Sequence, residues 1–257
     1  MKITQLKPYQ EKLKLLINIG MTYTHKNTPR WEKYKSFFQY EVLRYLVVWF
    51  TMTPVIAKIF ENVPDEIVLN IWEYSLAINL GLTFNWKLLW LSSLIYIISL
   101  ILYQIFCPGF IKEYNQYDDY AKKGHDPRWL VWIAAKLVKN KKLVRKFTER
   151  MLEKRFITEV CESNCHEEPQ VLVKETVLHY ECEGRKYSFS MPQYNEANHD
   201  EIKSVENSVF WEIFGRYSGA NFKVRITIML FLIISGIFFI IPLFGHIVAG
   251  LKFVFSP

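Results

Sequence analysis

Three cysteines and one histidine are the residues whose types best suit a metal site, namely Cys161, Cys165, His179 and Cys182. Three thiolates and one imidazole make a common tetrahedral zinc set. The spacing fits such a set weakly, because His179 and Cys182 lie three positions apart in a predicted strand and would point to opposite faces. Zinc binding stays open beside the alternative that these are reduced, partly buried cysteines of a cytoplasmic domain.

A run rich in lysine and arginine at residues 136–155 is the second group that could do chemistry, by binding anions. The predicted partner- or lipid-binding residues are Lys136, Lys139, Lys141, Lys142, Arg145, Lys146 and Arg150. Such a surface can contact anionic lipid headgroups, dock an acidic partner protein or bind nucleic acid. Nucleic acid is the least favoured partner, because no RRM, KH or helix-turn-helix pattern accompanies the run.

Catalytic motifs do not stand out anywhere in the chain. The patterns G-x-S-x-G, H-E-x-x-H and the phosphate-binding loop do not occur. The pair His125 and Asp126 is predicted to form a turn, with Asp126 capping a helix that starts at Pro127. The sequence therefore predicts a non-enzymatic protein with no catalytic residue and no cofactor.

These residues must be positioned by a chain dominated by three apolar runs, at residues 42–60, 88–106 and 226–244. Each run is long enough to cross the hydrocarbon core of a bilayer as a helix. The first run is the least apolar, and Pro54 is expected to kink it. The second run contains three serines that would favour close packing against another helix, namely Ser92, Ser93 and Ser99.

The distribution of lysine and arginine predicts how the chain is oriented. Residues 61–86 contain none of them, whereas residues 1–44 contain nine and residues 112–225 contain twenty. Because basic loops remain in the cytoplasm, the N-terminus and the middle domain are predicted inside and the C-terminus outside. The same rule argues against a fourth span at residues 67–84, which we interpret as an interfacial amphipathic helix or a shallow re-entrant segment.

The predicted fold is a mainly α membrane protein with three transmembrane helices and a small α+β cytoplasmic domain between spans two and three. Its parts are a cytoplasmic segment (1–41), two spans with an external interfacial segment at 61–86 (42–111), the cytoplasmic domain (112–223) and the third span with a short external tail (224–257).

Hydrophobic periodicity predicts the smaller elements. An amphipathic helix is expected at residues 5–19, and another begins at Trp31 and runs straight into the first span. Within the cytoplasmic domain we expect a basic helix at residues 128–156, a β-hairpin at residues 169–191 and a second helix at residues 198–217.

In layout the chain resembles the small membrane effectors of bacterial anti-phage defence, which join a few spans to a modest cytoplasmic domain. The resemblance implies an effector of the bacterial inner membrane that senses a signal or partner and oligomerises to form a pore or perturb the membrane. It carries over no functional residue, because no family motif matches. The centres of the two most apolar runs contain no ionisable residue, which argues against a transporter or pump.

Two other functions remain open on the sequence. One is a non-catalytic membrane adaptor or assembly subunit of a larger complex. The other is an immunity or exclusion protein that blocks a foreign membrane target. The partners expected in every case are a bilayer with anionic headgroups, and either further copies of the chain or a protein bound by the cytoplasmic domain.

Overall fold

The computed structural model describes residues 28–61, 66–71, 74–79, 86–161, 168–194 and 199–255. The chain is mostly helical and carries a small antiparallel sheet. It divides into two units, of which the second comprises Arg30–Lys35 and Cys107–Asn221 and the first comprises the rest. The predicted helix at residues 5–19 lies outside the described residues.

In chain order the helices are α1 (Trp31–Gln39), α2 (Glu41–Glu61), α3 (Trp86–Phe106), α4 (Gly109–Glu113), α5 (Tyr117–Ala121), α6 (Trp129–Val138), α7 (Lys141–Glu153), α8 (His199–Ser218) and α9 (Phe222–Phe255). The strands are β1 (Glu66–Ile71), β2 (Tyr74–Asn79), β3 (Ile157–Glu159), β4 (Gln170–Val171), β5 (Glu175–Cys182) and β6 (Arg185–Pro192).

The helix expected to run unbroken from Trp31 into the first apolar run is interrupted at Tyr40. The Tyr40 amide donates to the Phe37 carbonyl at 3.2 Å, and the Leu43 amide donates to the Tyr40 carbonyl at 3.1 Å. These tighter i to i−3 bonds separate α1 from α2. Pro54 lies inside α2 without ending it, so the first apolar run is confirmed as a helix.

Two helices of the first unit are long and apolar enough to cross a membrane. They extend over Lys87–Phe106 and Phe222–Lys252, by length and composition among the described residues. Ser92, Ser93 and Ser99 are all fully buried. The Ser92 hydroxyl donates to the Ser235 carbonyl of α9 at 2.8 Å, which confirms the prediction that serine supports close packing.

Residues 67–84 were predicted to form an interfacial amphipathic helix or a shallow re-entrant segment, and their described part consists of paired strands, so the helix prediction was wrong. Strands β1 and β2 pair antiparallel, with Ile71 opposite Tyr74 and Glu66 opposite Asn79. The segments EIVLNI and YSLAIN contain β-branched and aromatic residues, which favour strands. Only two residues connect the strands, so pairing is local and its entropic cost is small.

The basic helix predicted at residues 128–156 is in fact two helices, α6 and α7. Asn140 breaks it, because its Oδ1 atom accepts the Lys142 amide at 3.0 Å and caps α7. An asparagine side chain competes in this way with the helical bonds of the backbone. The second helix predicted for this domain, at residues 198–217, is confirmed as α8.

The sheet of the second unit has the strand order β3-β6-β5-β4 and is antiparallel. The predicted hairpin is confirmed in β5 and β6, whose turn places Glu183 and Gly184 at φ values of 53° and 78°. Two positive values fit a type I′ turn. One sheet face is buried, with Leu178 opposite Phe189, and Phe147 of α7 lies against Phe189 at a ring distance of 6.5 Å.

Candidate functional site

All seven residues predicted to bind a partner or lipid lie on exposed positions of the second unit. Lys136 is on α6, Lys139 is in the connection to α7, and the other five are on α7. The opposite face of α7 is buried through four residues, which are Val144, Phe147, Thr148 and Met151. The Thr148 hydroxyl lies 3.1 Å from the Tyr180 hydroxyl of β5. The cations are therefore displayed by helices that are fixed to the sheet.

The two arginines of this group are engaged inside the second unit. Arg145 Nε lies 3.0 Å from Glu149 and 3.3 Å from Glu183 in the β5–β6 turn. Arg150 Nη2 lies 3.4 Å from Glu212 of α8. Exposed pairs of this kind contribute little stability, but they occupy guanidinium groups that a partner would otherwise contact. The structure thus separates the arginines from the lysines, which the sequence alone could not do.

The five lysines form what we call the lysine surface, made of Lys136, Lys139, Lys141, Lys142 and Lys146. Within the described part of the chain, none of them makes an ion pair. An ammonium group is a compact, hydrated point charge that attracts phosphate without fixed geometry. This surface therefore suits a diffuse anionic partner better than a single oriented carboxylate.

Glu212 of α8 forms ion pairs at the C-terminal end of α7. Its Oε1 atom lies 2.8 Å from Lys154 Nζ and 3.4 Å from Arg150 Nη2, and the side chain is 10% exposed. Burial by itself would raise the pKa of Glu212, but the hydrogen bonds from Lys154 and Arg150 outweigh it and lower the pKa. This carboxylate holds the end of α7 against α8.

A buried carboxylate, Glu206, forms a second polar cluster that sequence reasoning missed. Its Oε2 atom accepts hydrogen bonds from the hydroxyls of Tyr117 at 2.7 Å and Tyr194 at 2.6 Å. Burial, followed by the bond to Glu206, raises the pKa of Tyr117 above its usual range. Glu206 Oε1 and the Tyr120 hydroxyl are also buried, and neither has a hydrogen-bond partner among the residues that the structure describes.

A sequence signal for this cluster did exist. Glu206 lies on the apolar face of α8, four positions after Ile202 and four before Phe210, both of which are buried. A carboxylate at such a position must find donors inside the protein. Tyr117, on α5, is 89 positions from Glu206, and Tyr194, after β6, is 12 positions away. Helical periodicity alone pairs neither of them with Glu206.

The prediction that Asp126 caps a helix starting at Pro127 was wrong, because α6 begins at Trp129 with Arg128 at its N-cap. Asp126 Oδ1 instead accepts the Arg128 amide at 3.0 Å and Arg128 Nε at 2.9 Å, ahead of the helix. His125 lies 3.2 Å from the Tyr114 hydroxyl and stacks on the Trp129 ring. These contacts give both residues a role in the start of α6.

The proposed zinc residues are only partly described. Cys161 is exposed, Cys182 is buried at the end of β5, and Cys165 lies outside the described residues. In the pairing of β5 with β6, His179 lies opposite Ser188 and Cys182 lies opposite Arg185. Because His179 and Cys182 are three positions apart in one strand, their side chains point to opposite faces of the sheet. Among the described residues, no group of three or more His, Cys, Asp or Glu side chains could hold a metal ion.

No protein-family model matches the chain, and no curated protein or solved structure matches it either. The features of the chain that indicate a function are the apolar helices, the lysine surface and the two chain connections at Cys107 and Asn221.

Proposed function

We propose that the protein is a non-enzymatic integral membrane effector. Its second unit receives a signal or partner, and its membrane helices respond by oligomerising to form a pore or by perturbing the bacterial inner membrane. One observation carries this proposal. The second unit follows α3 directly at Cys107 and precedes α9 directly at Asn221, and among the described residues α3 and α9 are the helices long and apolar enough to cross a membrane. A change in the unit therefore acts on both helices.

The proposed topology adds α2 as a further span, with the N-terminus and the second unit in the cytoplasm and the C-terminus outside. The support is the distribution of basic residues, since twenty of them lie within residues 112–225. The segment at residues 61–86 would then be external, and its hairpin would replace the helix that we had expected there.

The outward faces of α3 and α9 support association with lipid or with further copies of the chain. Large apolar side chains are exposed along both helices, including Ile98, Ile101 and Ile105 on α3 and Ile233, Ile237 and Ile240 on α9. Contiguous apolar surface of this kind is costly in water. The proposal assigns these faces to lipid tails and to contacts between subunits.

The lysine surface is proposed to bind anionic lipid headgroups. Its five ammonium groups are exposed and lack a carboxylate partner among the described residues, and each basic residue near an anionic bilayer contributes roughly 1 kcal/mol. The chain connections keep the second unit close to any membrane that α3 and α9 cross, which raises the effective concentration of headgroups.

Membrane potential is the quantity that tests the effector proposal. The full chain would be expressed in bacteria and the potential followed with a voltage-sensitive dye, alongside the mass of the detergent-purified particle. We expect depolarisation on induction or on exposure to the trigger, and a particle several times the monomer mass. An unchanged potential together with a monomeric particle would contradict the proposal.

A membrane adaptor or assembly subunit is the second candidate, and the lysine surface supports it as well. Unpaired ammonium groups suit an acidic partner protein as they suit headgroups. Pull-down of the full chain separates the two functions. An adaptor would recover a second protein in fixed stoichiometry, and that protein would be lost when the five lysines are changed to glutamine. An effector would recover mainly further copies of itself.

A further inference from the structure

The free edge of the sheet at β4 is apolar and exposed. β4 ends the strand order β3-β6-β5-β4, so among the described strands only β5 lies beside it. Val171 is 63% exposed, Leu172 48% and Val173 90%. The edge at β3 differs, because Thr158 and Glu159 are its exposed residues. An apolar edge with unpaired backbone groups is a surface on which another strand can pair.

The hydrogen bonds between β4 and β5 define which backbone groups face the free edge. The Leu172 amide donates to the Glu175 carbonyl at 2.8 Å, so the backbone of Leu172 points toward β5. Because consecutive residues of an antiparallel strand alternate in direction, the amide and the carbonyl of Val171 point away from β5. The same residue of an identical, antiparallel strand would satisfy both groups with two reciprocal hydrogen bonds.

The charges on either side of Val171 fit this pairing. Glu168 lies three positions before it and Lys174 three positions after it, and both are exposed. Neither forms an ion pair with another described residue. When Val171 lies opposite Val171 of a second copy, Glu168 of each copy lies opposite Lys174 of the other. Lys174 belongs to the turn after β4, and its long side chain can cover the added distance. The edge is therefore complementary in charge to itself.

The apolar side chains fit the same partner. Val171 pairs with Thr176 of β5, so it lies on the sheet face that also carries the buried Leu178. Pairing of two copies would bring the two Val171 side chains together and continue this face across the joint. A contact made by the same residues on both copies has two-fold symmetry and closes as a dimer.

We propose that β4 pairs antiparallel with β4 of a second copy of the chain, centred on Val171. This pairing joins two four-stranded sheets into one sheet of eight strands. The inference does not depend on the proposed function, because it needs only the sheet edge. Since β4 is short, the contact is weak by itself, and confinement of two copies in one membrane or micelle strengthens it by raising their effective concentration.

Disulfide cross-linking tests the register of this pairing. Val171→Cys would be introduced into the full chain together with Cys161→Ser and Cys165→Ser, which leaves two native cysteines, both buried. Residues opposite each other in an antiparallel pair have Cα atoms about 5.5 Å apart, which a disulfide can bridge. We expect oxidation of the detergent-purified chain with copper phenanthroline to give a covalent dimer. Thr158→Cys, exposed on β3, is the matched position control and should give little dimer.

Charge reversal tests the partner of β4. In the Val171→Cys chain, Glu168→Lys places lysine opposite lysine, and Lys174→Glu places glutamate opposite glutamate. Either change should slow dimer formation about tenfold, because like charges replace opposite charges at two places. Mixing the two variants should restore the rate, since lysine again lies opposite glutamate at both places. Glu159→Lys makes the same change on β3 and should have no effect.

Three results would overturn the pairing. One is cross-linking of Thr158→Cys as fast as Val171→Cys, because collision in the micelle would then explain both. Another is a mixture of the two charge variants that reacts as slowly as each alone. The third is cross-linking of Val171→Cys in cells to a different protein in place of a second copy. Cross-linking as expected, with an unaltered membrane potential, would support the pairing and contradict the effector function.

Discussion

Ser92 and Ser235 exchange hydrogen bonds between α3 and α9. The Ser92 hydroxyl donates to the Ser235 carbonyl at 2.8 Å, and the Ser235 hydroxyl donates to the Ser92 carbonyl at 2.9 Å. Both side chains are buried. Small hydroxyl residues let two helix backbones approach closely, and the reciprocal bonds fix the register in which they do so.

Changing both serines to alanine should loosen this helix pair without adding bulk. Bonds of this type contribute about 0.6 kcal/mol each inside membranes, so the double variant should lose about 1 kcal/mol. Thermal unfolding of the detergent-purified chain measures the loss. Ser99→Ala is the matched control, because the buried Ser99 hydroxyl donates to the Ile95 carbonyl of its own helix. Equal losses in the two experiments would argue against an interhelical role.

Neutralising the lysine surface should weaken binding to anionic lipid. A variant in which all five lysines are changed to glutamine should lose most of the thermal stabilisation that short-chain phosphatidylserine gives the purified wild-type chain. Phosphatidylcholine should stabilise neither the variant nor the wild type. Added salt should reduce the wild-type response as well.

The control for that experiment is a double variant, Arg145→Gln and Arg150→Gln. Both guanidinium groups form ion pairs with glutamates of the second unit, so they contribute less than the lysines to lipid binding. This pair of changes should leave the lipid response near that of the wild type. If the arginine variant lost the response and the lysine variant kept it, the assignment of the lysine surface would be wrong.

Acid should destabilise the second unit through Glu212. Its pKa is lowered in the folded protein from an ordinary value of 4.5, so below that value the unfolded chain binds more protons. The stabilisation is therefore complete above about pH 4.5 and is lost as the pH falls through the lowered pKa. Glu212→Gln should cost about 1–2 kcal/mol at neutral pH and flatten this acid dependence. Unfolding of the second unit is followed by the labelling of Cys182 in denaturant. Glu149→Gln is the control, because Glu149 belongs to an exposed ion pair, and this variant should show the same acid dependence of stability as the wild type.

The tyrosines around Glu206 should act together. Removing one hydroxyl, in Tyr117→Phe or Tyr194→Phe, should cost about 1–3 kcal/mol. The double variant should cost more than the sum, because it leaves the carboxylate buried with neither hydroxyl donor. Unfolding of the second unit in denaturant measures all three, and Tyr40→Phe, at a side chain 63% exposed, should be neutral. Simple additivity would show that the two tyrosines act separately.

The elements predicted most accurately are those whose hydrophobic or turn pattern extends over many consecutive residues. The runs at residues 88–106 and 226–244 are confirmed as helices, and so are the β5–β6 hairpin and α8. The errors arose where a short polar side chain or a local pairing overrode the pattern. Asn140 splits one amphipathic helix into two, and the described residues of the apolar segment predicted as a helix form the strands β1 and β2 instead.

The contacts that organise the site could not be predicted, because they join residues far apart in the chain. Trp31 and Ala220 are 189 positions apart, and Tyr117 and Glu206 are 89 apart. Periodicity identifies which residues lie on the same face of an element, but it does not identify the partner of a buried polar group. The exposure of the lysines followed from the amphipathic pattern, whereas the pairing of the arginines did not.

The length of α9 has a consequence for the kind of bilayer in which the protein would work. A helix of 34 residues is about 51 Å long, and the hydrocarbon core of a typical bilayer is about 30 Å thick. The excess must tilt or emerge into the headgroup layers, and either response varies with lipid chain length. If α9 crosses a bilayer, a change in bilayer thickness would therefore change the tilt or the emerging length of the helix, and this change would begin next to Asn221, the residue that precedes the helix.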